Sequence, residues 1–439
     1  MRKPSFLVIF LTVVIDLVGF GIVVPLVPVF SKHLVPDSIG PLWVQGLVIG
    51  VIIASFSAMQ FIFSPIWGRL SDRHGRRPIL LLSTAGAAAS YVLFALGCGL
   101  ANHVAALWIL VLSRAFAGVC GGNITVAHAY VADITPPEHR SEKMGYLGMA
   151  FGLGFIFGPI VGGVGLKYLG STGPGFIAAG LCAANFLLAF AILTESRQPG
   201  SSRVTERPHL DQWLHTLRLP RIGFLVVVFF LATFCFSCFE STLPLLVGDN
   251  FHLDFKNDPT SASTVTYLFA YCGILGALMQ GGAIRPLVKL LGEPKLIALS
   301  LVFTAISLLL LPFIKGTGQL SWGILFQSQG LPWVLLLLAL GLLSIGTSLT
   351  RPPLFGMLSN LTSAQEQGAN LGVAQGAGSF ARIVGPLFAT SLLPVLPPLP
   401  YVICAAVLLA TTLLVLQRLC GKPEAGSAPA ALRSGSPQE

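Results

Sequence analysis

Acidic residues are scarce in this chain. Asp and Glu together number 17 among 439 residues, and all charged residues make up 10%, against about 25% in soluble domains. That is too little charge to keep a folded surface of this size in water, so a water-soluble enzyme is excluded. A nucleic-acid-binding protein is excluded too, despite a net charge of +9, because Lys and Arg flanking apolar runs have a membrane explanation. Long polar stretches are also missing. Apolar residues make up 54% of the chain and mean hydropathy is +0.81, more than one anchor on a soluble body would give. No P-loop or nucleophile elbow is present, nor a His/Cys set with metal-ligand spacing, so no enzyme, cofactor, metal or ATP-driven chemistry is expected. Cys235 and Cys238 form a C-x-x-C without a second pair inside Phe-rich sequence, which reads as buried, inert thiols.

What is present is a series of apolar runs long enough to cross a bilayer, about 20 residues each. Twelve fit, at 5–30, 42–68, 78–99, 104–132, 144–166, 173–194, 222–247, 263–286, 295–314, 331–355, 368–393 and 398–419. The first is too long for a signal peptide, contains Asp16, Pro25 and Pro28, and reads as a retained span. The expected organisation is a six-helix bundle over 1–194, a central loop over 195–221, a second bundle over 222–420 and a disordered tail over 421–439. Placing both termini in the cytoplasm puts 20 Lys and Arg on that side, Arg351 among them, and 4 outside. Such a bias fixes orientation. The halves also repeat: Thr135 through Gly145 leading to Gly158-Pro159 matches Thr362 through Gly372 leading to Gly385-Pro386 at a constant displacement of 227. Two related sets of six helices place a substrate site between them near the bilayer midplane.

The connection between the second and third runs reads Gly68-Arg-Leu-Ser-Asp72-Arg73-His-Gly75-Arg76-Arg77. It resembles the loop motif of the major facilitator superfamily. Asp16-x-x-Gly19-x-Gly21-x-x-x-Pro25, Met59-Gln60-Phe61, Arg114-x-x-x-Gly118 and Ala129 through Thr135 resemble the tetracycline-efflux-like branch of its drug:proton antiporters. The fifth run carries the pattern Gly148, Gly152, Gly154, Gly158, Pro159, Gly162 and Gly163, which in that family marks antiporters. The resemblance implies an all-α membrane protein with twelve helices in two pseudo-symmetric halves. It also implies that Asp72 pairs with the opposite half when the protein faces outward, and that Arg76 pairs with Asp133. The two loop glycines let backbones turn and approach, Asp72 is suited to meet helix-end amides, and the Arg cluster sits at the membrane surface. A loop that only fixes orientation is the alternative, but orientation needs neither Asp nor glycine.

Four ionisable residues lie deep within the runs: Asp16, Arg114, Glu240 and Arg382. A charge at that depth costs several kcal/mol and has to face a partner or a cavity. Asp16 or Glu240 is the candidate carrier of a coupling proton, and the alternative is two structural ion pairs. Arg114, Gly118, Gly121, Thr125 and His128 share one helical face, as do Gln375, Gly378, Ser379 and Arg382, and these stripes suggest a wet cavity. His128 is either a titrating group or a satisfied hydrogen-bonder. Gln60, Asn123, Asn185, Gln280 and Gln375 are candidate substrate contacts or, equally, inter-helix bonds. Phe229, Phe236 and Phe239 are spaced to meet an apolar substrate or the core. The tetracycline branch has an acid before a Tyr in its third helix, where this chain has Ser90 before Tyr91, and another in its ninth, where 295–314 holds none. Tetracycline itself is therefore a doubtful substrate. The expected protein is a proton-coupled, monomeric, multi-pass transporter of the plasma or inner membrane. It exports an amphiphilic, drug-like small molecule by alternating access, its partners being that molecule, protons and the bilayer. An importer of a metabolite and a non-transporting receptor are the alternatives.

Overall fold

The computed structural model describes residues 5–196, 209–255, 258–320, 323, 330–362 and 366–419. The expected tail, residues 197–208 of the expected central loop, and Arg2, Lys3, Lys256, Lys422 and Arg433 lie outside the described residues. No strand occurs among the described residues, and the regular elements are helices. Among the described residues, eleven helical segments are long and apolar enough to cross a membrane. The twelfth span is the 26-residue Gln367–Leu392, whose polar face lowers its hydropathy.

The first half comprises α1 (Phe6–Val23), α2 (Leu26–Leu34), α3 (Leu42–His74), α4 (Arg76–Gly99), α5 (His103–Cys120), α6 (Asn123–Ile134), α7 (Pro137–Leu169) and α8 (Gly173–Ile192). After α9 (His209–Arg218) come α10 (Pro220–Asn250), α11 (Pro259–Leu278), α12 (Ile284–Leu291), α13 (Glu293–Leu310), α14 (Leu331–Asn360), α15 (Gln367–Leu392) and α16 (Pro398–Leu419). Three expected spans are interrupted. Pro25 has no amide to continue α1, so the first span turns and resumes as α2. The fourth breaks at Gly121-Gly122. The eighth passes through a π-helical turn at Met279–Ala283, a widening common at functional sites. Part of the expected central loop is helical, as α9.

Glycines place α7 against α1. A Cβ at Gly158 would lie 2.5 Å from the backbone of Gly21, at Gly154 2.7 Å from the Leu17 carbonyl, and at Gly162 2.7 Å from that of Ile22. Small residues of this kind let helices approach in lipid. The second half repeats the arrangement, with Gly385 on α15 packed against Phe234 and Ser237 of α10. The sequence repeat thus corresponds to one packing unit used twice.

The motif turn between α3 and α4 follows from Gly75 and Glu195. Gly75 has φ +100°, a conformation that disfavours a side chain, and a Cβ there would meet the Glu195 carboxylate at 2.5 Å. That carboxylate accepts from the Arg76 and Arg77 amides at 2.8 and 3.1 Å and caps α4. Two expectations are corrected here. Glu195, and not Asp72, meets the helix-end amides. Gly68 lies inside α3 with its only near neighbour, Thr125 Cγ2, 3.8 Å from a Cβ position, so it serves neither turn nor close approach. Glu195→Ala is expected to cost about 1 kcal/mol, read as a melting temperature lower by about 1–3 °C.

Candidate functional site

The Arg-rich α3–α4 turn defines a basic side of the bundle. Contacts between the halves gather on the other side. There Gly50 of α3 approaches Thr390 of α15, Ser263 of α11 donates to the Gly163 carbonyl at 3.1 Å, and Lys32 pairs with Asp249 at 2.5 Å. Toward the basic side, a Cβ added at Gly148 or Gly152 of α7, at Gly281 or Gly282 in the π-turn, or at Gly372 of α15 would meet nothing within 4 Å beyond its own helix. The seven-member antiporter pattern is therefore divided. Gly154, Gly158 and Gly162 pack α1, Gly163 meets Thr266 of the opposite half, Pro159 follows inside α7, and Gly148 and Gly152 face open space. On the basic side, Arg76 holds Asp72 at 2.6 Å and Asp133 at 3.1 Å, and Ser196 donates to Asp133 at 3.1 Å. Arg77 donates to the carbonyls of Leu193 and Phe190 at 2.7 and 2.8 Å. Asp72 is 59% exposed and the cation it pairs with, Arg76, belongs to its own half, while Arg73 stands in the same turn.

The break in the fourth span builds the first-half site. Interrupting a helix at membrane depth frees carbonyls that need donors. Trp67 Nε1 donates to Val119 O at 2.6 Å, Ser83 Oγ to Cys120 O at 2.5 Å, and Gln60 Nε2 to Gly121 O at 2.9 Å. Gln60 is therefore committed to holding the break. Asn123, the first residue beyond it, donates to Asp16 Oδ2 at 3.0 Å. Asn185 is fully buried and donates to Thr12 O at 2.9 Å. It joins α8 to α1 and does not line a cavity, which corrects its assignment as a substrate contact. Gly118 is no cavity residue either, since a Cβ there would run into the Phe56 carbonyl of α3. Thr125, on the same expected stripe, is exposed.

Arg114 is 3% exposed and lies over the Phe56 ring at 5.2 Å, with Tyr91 alongside. None of its three guanidinium nitrogens meets a hydrogen-bond acceptor of good geometry. No ion pair within 4.0 Å joins Asp16 to Arg114, or Glu240 to Arg382. Two structural salt bridges are thus not what these four residues form. His128 is half-buried, and its Nδ1 donates to the Ile124 carbonyl at 2.8 Å.

In the second half, Glu240 on α10 and Arg382 on α15 are half-buried and close enough for their charges to attract. Arg351 belongs with them. From sequence it counts among the cytoplasmic basic residues, but it lies within α14, nine residues before the helix ends at Asn360, and so leaves the count of 20. Its guanidinium donates to Gln375 Oε1 at 3.3 Å and lies 5.9 and 5.4 Å from the rings of Phe229 and Phe355. No local signal marks it, because Pro352-Pro353 directly after it lack two amides and read as a helix end, although the helix runs on through both. Gln280 is exposed in the π-turn. Phe239 packs on Phe236 and Phe269, and Phe229 on Phe355. Cys235 and Cys238 are buried and free, directing their thiols at the carbonyls of Cys404 and Gly385.

Two bundles joined on one side, with intramembrane charges between them, form the frame of a transporter, and the sequence comparison agrees. The family model of the Major Facilitator Superfamily matches residues 9–331. The chain belongs to the Major Facilitator Superfamily. Among its relatives, the class C tetracycline resistance protein of Escherichia coli is 31% identical over 89% of this chain and 90% of its own. The quinolone resistance protein NorA of Staphylococcus aureus is 26% identical over 95% and 96%. Among solved structures, the human organic anion transporter MFSD10 superposes with TM-score 0.64 at 26% identity, covering 94% of this chain and 100% of that one. A D-xylose–proton symporter, at TM-score 0.70 and 16% identity, shares the fold. This member of the superfamily is a multi-pass integral membrane protein.

Proposed function

We propose that the chain exports amphiphilic, drug-like molecules in exchange for protons, as a monomer in a plasma or inner membrane. The basic side is cytoplasmic in this reading, so the open arrangement faces inward. The observation that carries it is Asp16, a half-buried carboxyl held by Asn123 at the helix break. It lies in the same half as Arg114, a buried cation without a carboxylate partner. A carboxyl so placed, with its counter-charge unspent, exchanges a proton as the halves rock about the contacts at Gly50, Gly163 and Lys32. Gly148, Gly152 and Asp72 then stand where closure on the cytoplasmic side would bring the halves together. The resistance proteins among the relatives support export. Ser90 and the acid-free stretch 295–314 argue against tetracycline as the cargo.

The test is flux in liposomes. Protein reconstituted in vesicles with an acidic lumen is expected to accumulate a fluorescent quinolone and to lose it when a protonophore is added. Accumulation indifferent to the protonophore would overturn proton coupling.

A further inference from the structure

The ionisable groups deep in the described spans do not balance once Arg351 is included. Three arginines, Arg114, Arg351 and Arg382, stand against two carboxylates, Asp16 and Glu240. The excess lies in the second half. Arg351 and Arg382 project from neighbouring helices, near enough for their charges to repel, and neither has a carboxylate within 4.0 Å. Gln375 and Arg382 lie seven residues apart on one face of α15, and Gln375 takes one Arg351 nitrogen at 3.3 Å. Phe229 and Phe355 meet edge-to-face at 5.0 Å beside the Arg351 guanidinium. Across from them, on the other half, His128 lies within the field of Arg351.

We propose that Arg351 and Arg382 form the anion-binding end of the substrate site, and that the exported molecule is an organic anion, a carboxylate or sulfonate on an aromatic body. Two guanidinium forks suit the planar or trigonal array of oxygens such a group presents. Phe229 and Phe355 offer ring contacts to the aromatic body. Glu240 cancels one of the two cationic charges, so one remains for the substrate even with Glu240 ionised. A bound anion removes the cost of leaving that charge uncompensated at membrane depth. The stretches that hold acids in the tetracycline branch hold none here, so a cationic cargo would meet a net positive charge in this half.

The inference rests on the exporter reading, but binding tests it without any gradient. Naphthalenesulfonate, naphthalenemethanol and naphthylmethylammonium share one ring system and differ in charge. Titration calorimetry on the purified full-length protein is expected to rank them in that order, with the sulfonate about tenfold tighter than the alcohol. Arg351→Gln and Arg382→Gln are each expected to lower sulfonate affinity about tenfold and leave the alcohol unchanged. Should either glutamine variant melt early, Arg351→Lys and Arg382→Lys keep the charge, lose the fork, and are expected to weaken the sulfonate selectively. Equal affinity for sulfonate and ammonium, or wild-type sulfonate affinity in the arginine variants, overturns the proposal. If the sulfonate binds selectively but no compound moves with a pH gradient in liposomes, the exporter reading fails while the anion site stands.

Discussion

Asp16→Asn is expected to abolish pH-driven transport while the protein stays folded. Asp16 accepts one hydrogen bond from Asn123, and an asparagine amide oxygen accepts the same bond in the same volume. The substitution therefore removes the exchangeable proton and little else, and stability should change by about 1 kcal/mol or less. Flux under an imposed gradient should fall by about 100-fold, the scale typical for losing a positioned proton-transfer group. Glu240→Gln is the comparison. Among the described residues it removes the carboxylate whose charge reaches Arg382, so it should alter substrate affinity more than gradient dependence. If Asp16→Asn transports like wild type and Glu240→Gln does not, the proton travels in the second half.

Much of the frame was legible because it depends on local composition. Span number follows from run length, and the Gly-Pro repeat at a displacement of 227 corresponds to a shared packing unit, α7 on α1 and α15 on α10. The motif turn was legible through Gly75, whose backbone angle no other residue type adopts freely. What could not be read was which partner each polar side chain meets across a helix interface. Gln60 and Asn185 have the chemistry of substrate contacts, yet one serves a broken backbone and the other fastens α8 to α1. Periodicity describes which residues share a face and says nothing of what that face touches. Arg351 was missed for a related reason. A basic residue followed by two prolines has the local character of a helix end, but α14 continues to Asn360. The break at Gly121-Gly122 was hidden because its cost is met by Trp67 and Ser83, residues distant in sequence.

Gly158→Leu should unfold or strongly destabilise the first half, and Gly152→Ala should not. At Gly158 the added carbon meets backbone, 2.5 and 2.6 Å from Gly21 C and Cα and 2.8 Å from Ile22 N, and backbone cannot rotate aside as a side chain does. Overpacking typically costs about 1–3 kcal/mol, and the upper end or beyond is expected here because α1 as a whole would have to move. Five residues along α1 from Gly21 is Asp16, so any surviving fold should also lose its bond to Asn123. Thermal melting of the purified protein, followed by flux for whatever fraction remains folded, reads both effects. A Cβ at Gly152 would meet nothing within 4 Å beyond its own helix, and an alanine in a helix interior is worth about 0.5–1 kcal/mol over glycine. Gly152→Ala should thus melt at the same temperature or slightly higher. Its consequence belongs to the other conformation. If the halves close on the basic side against α7, the extra methyl group obstructs that closure and transport slows while stability rises. A variant both more stable and fully active would mean that closure does not use this face of α7.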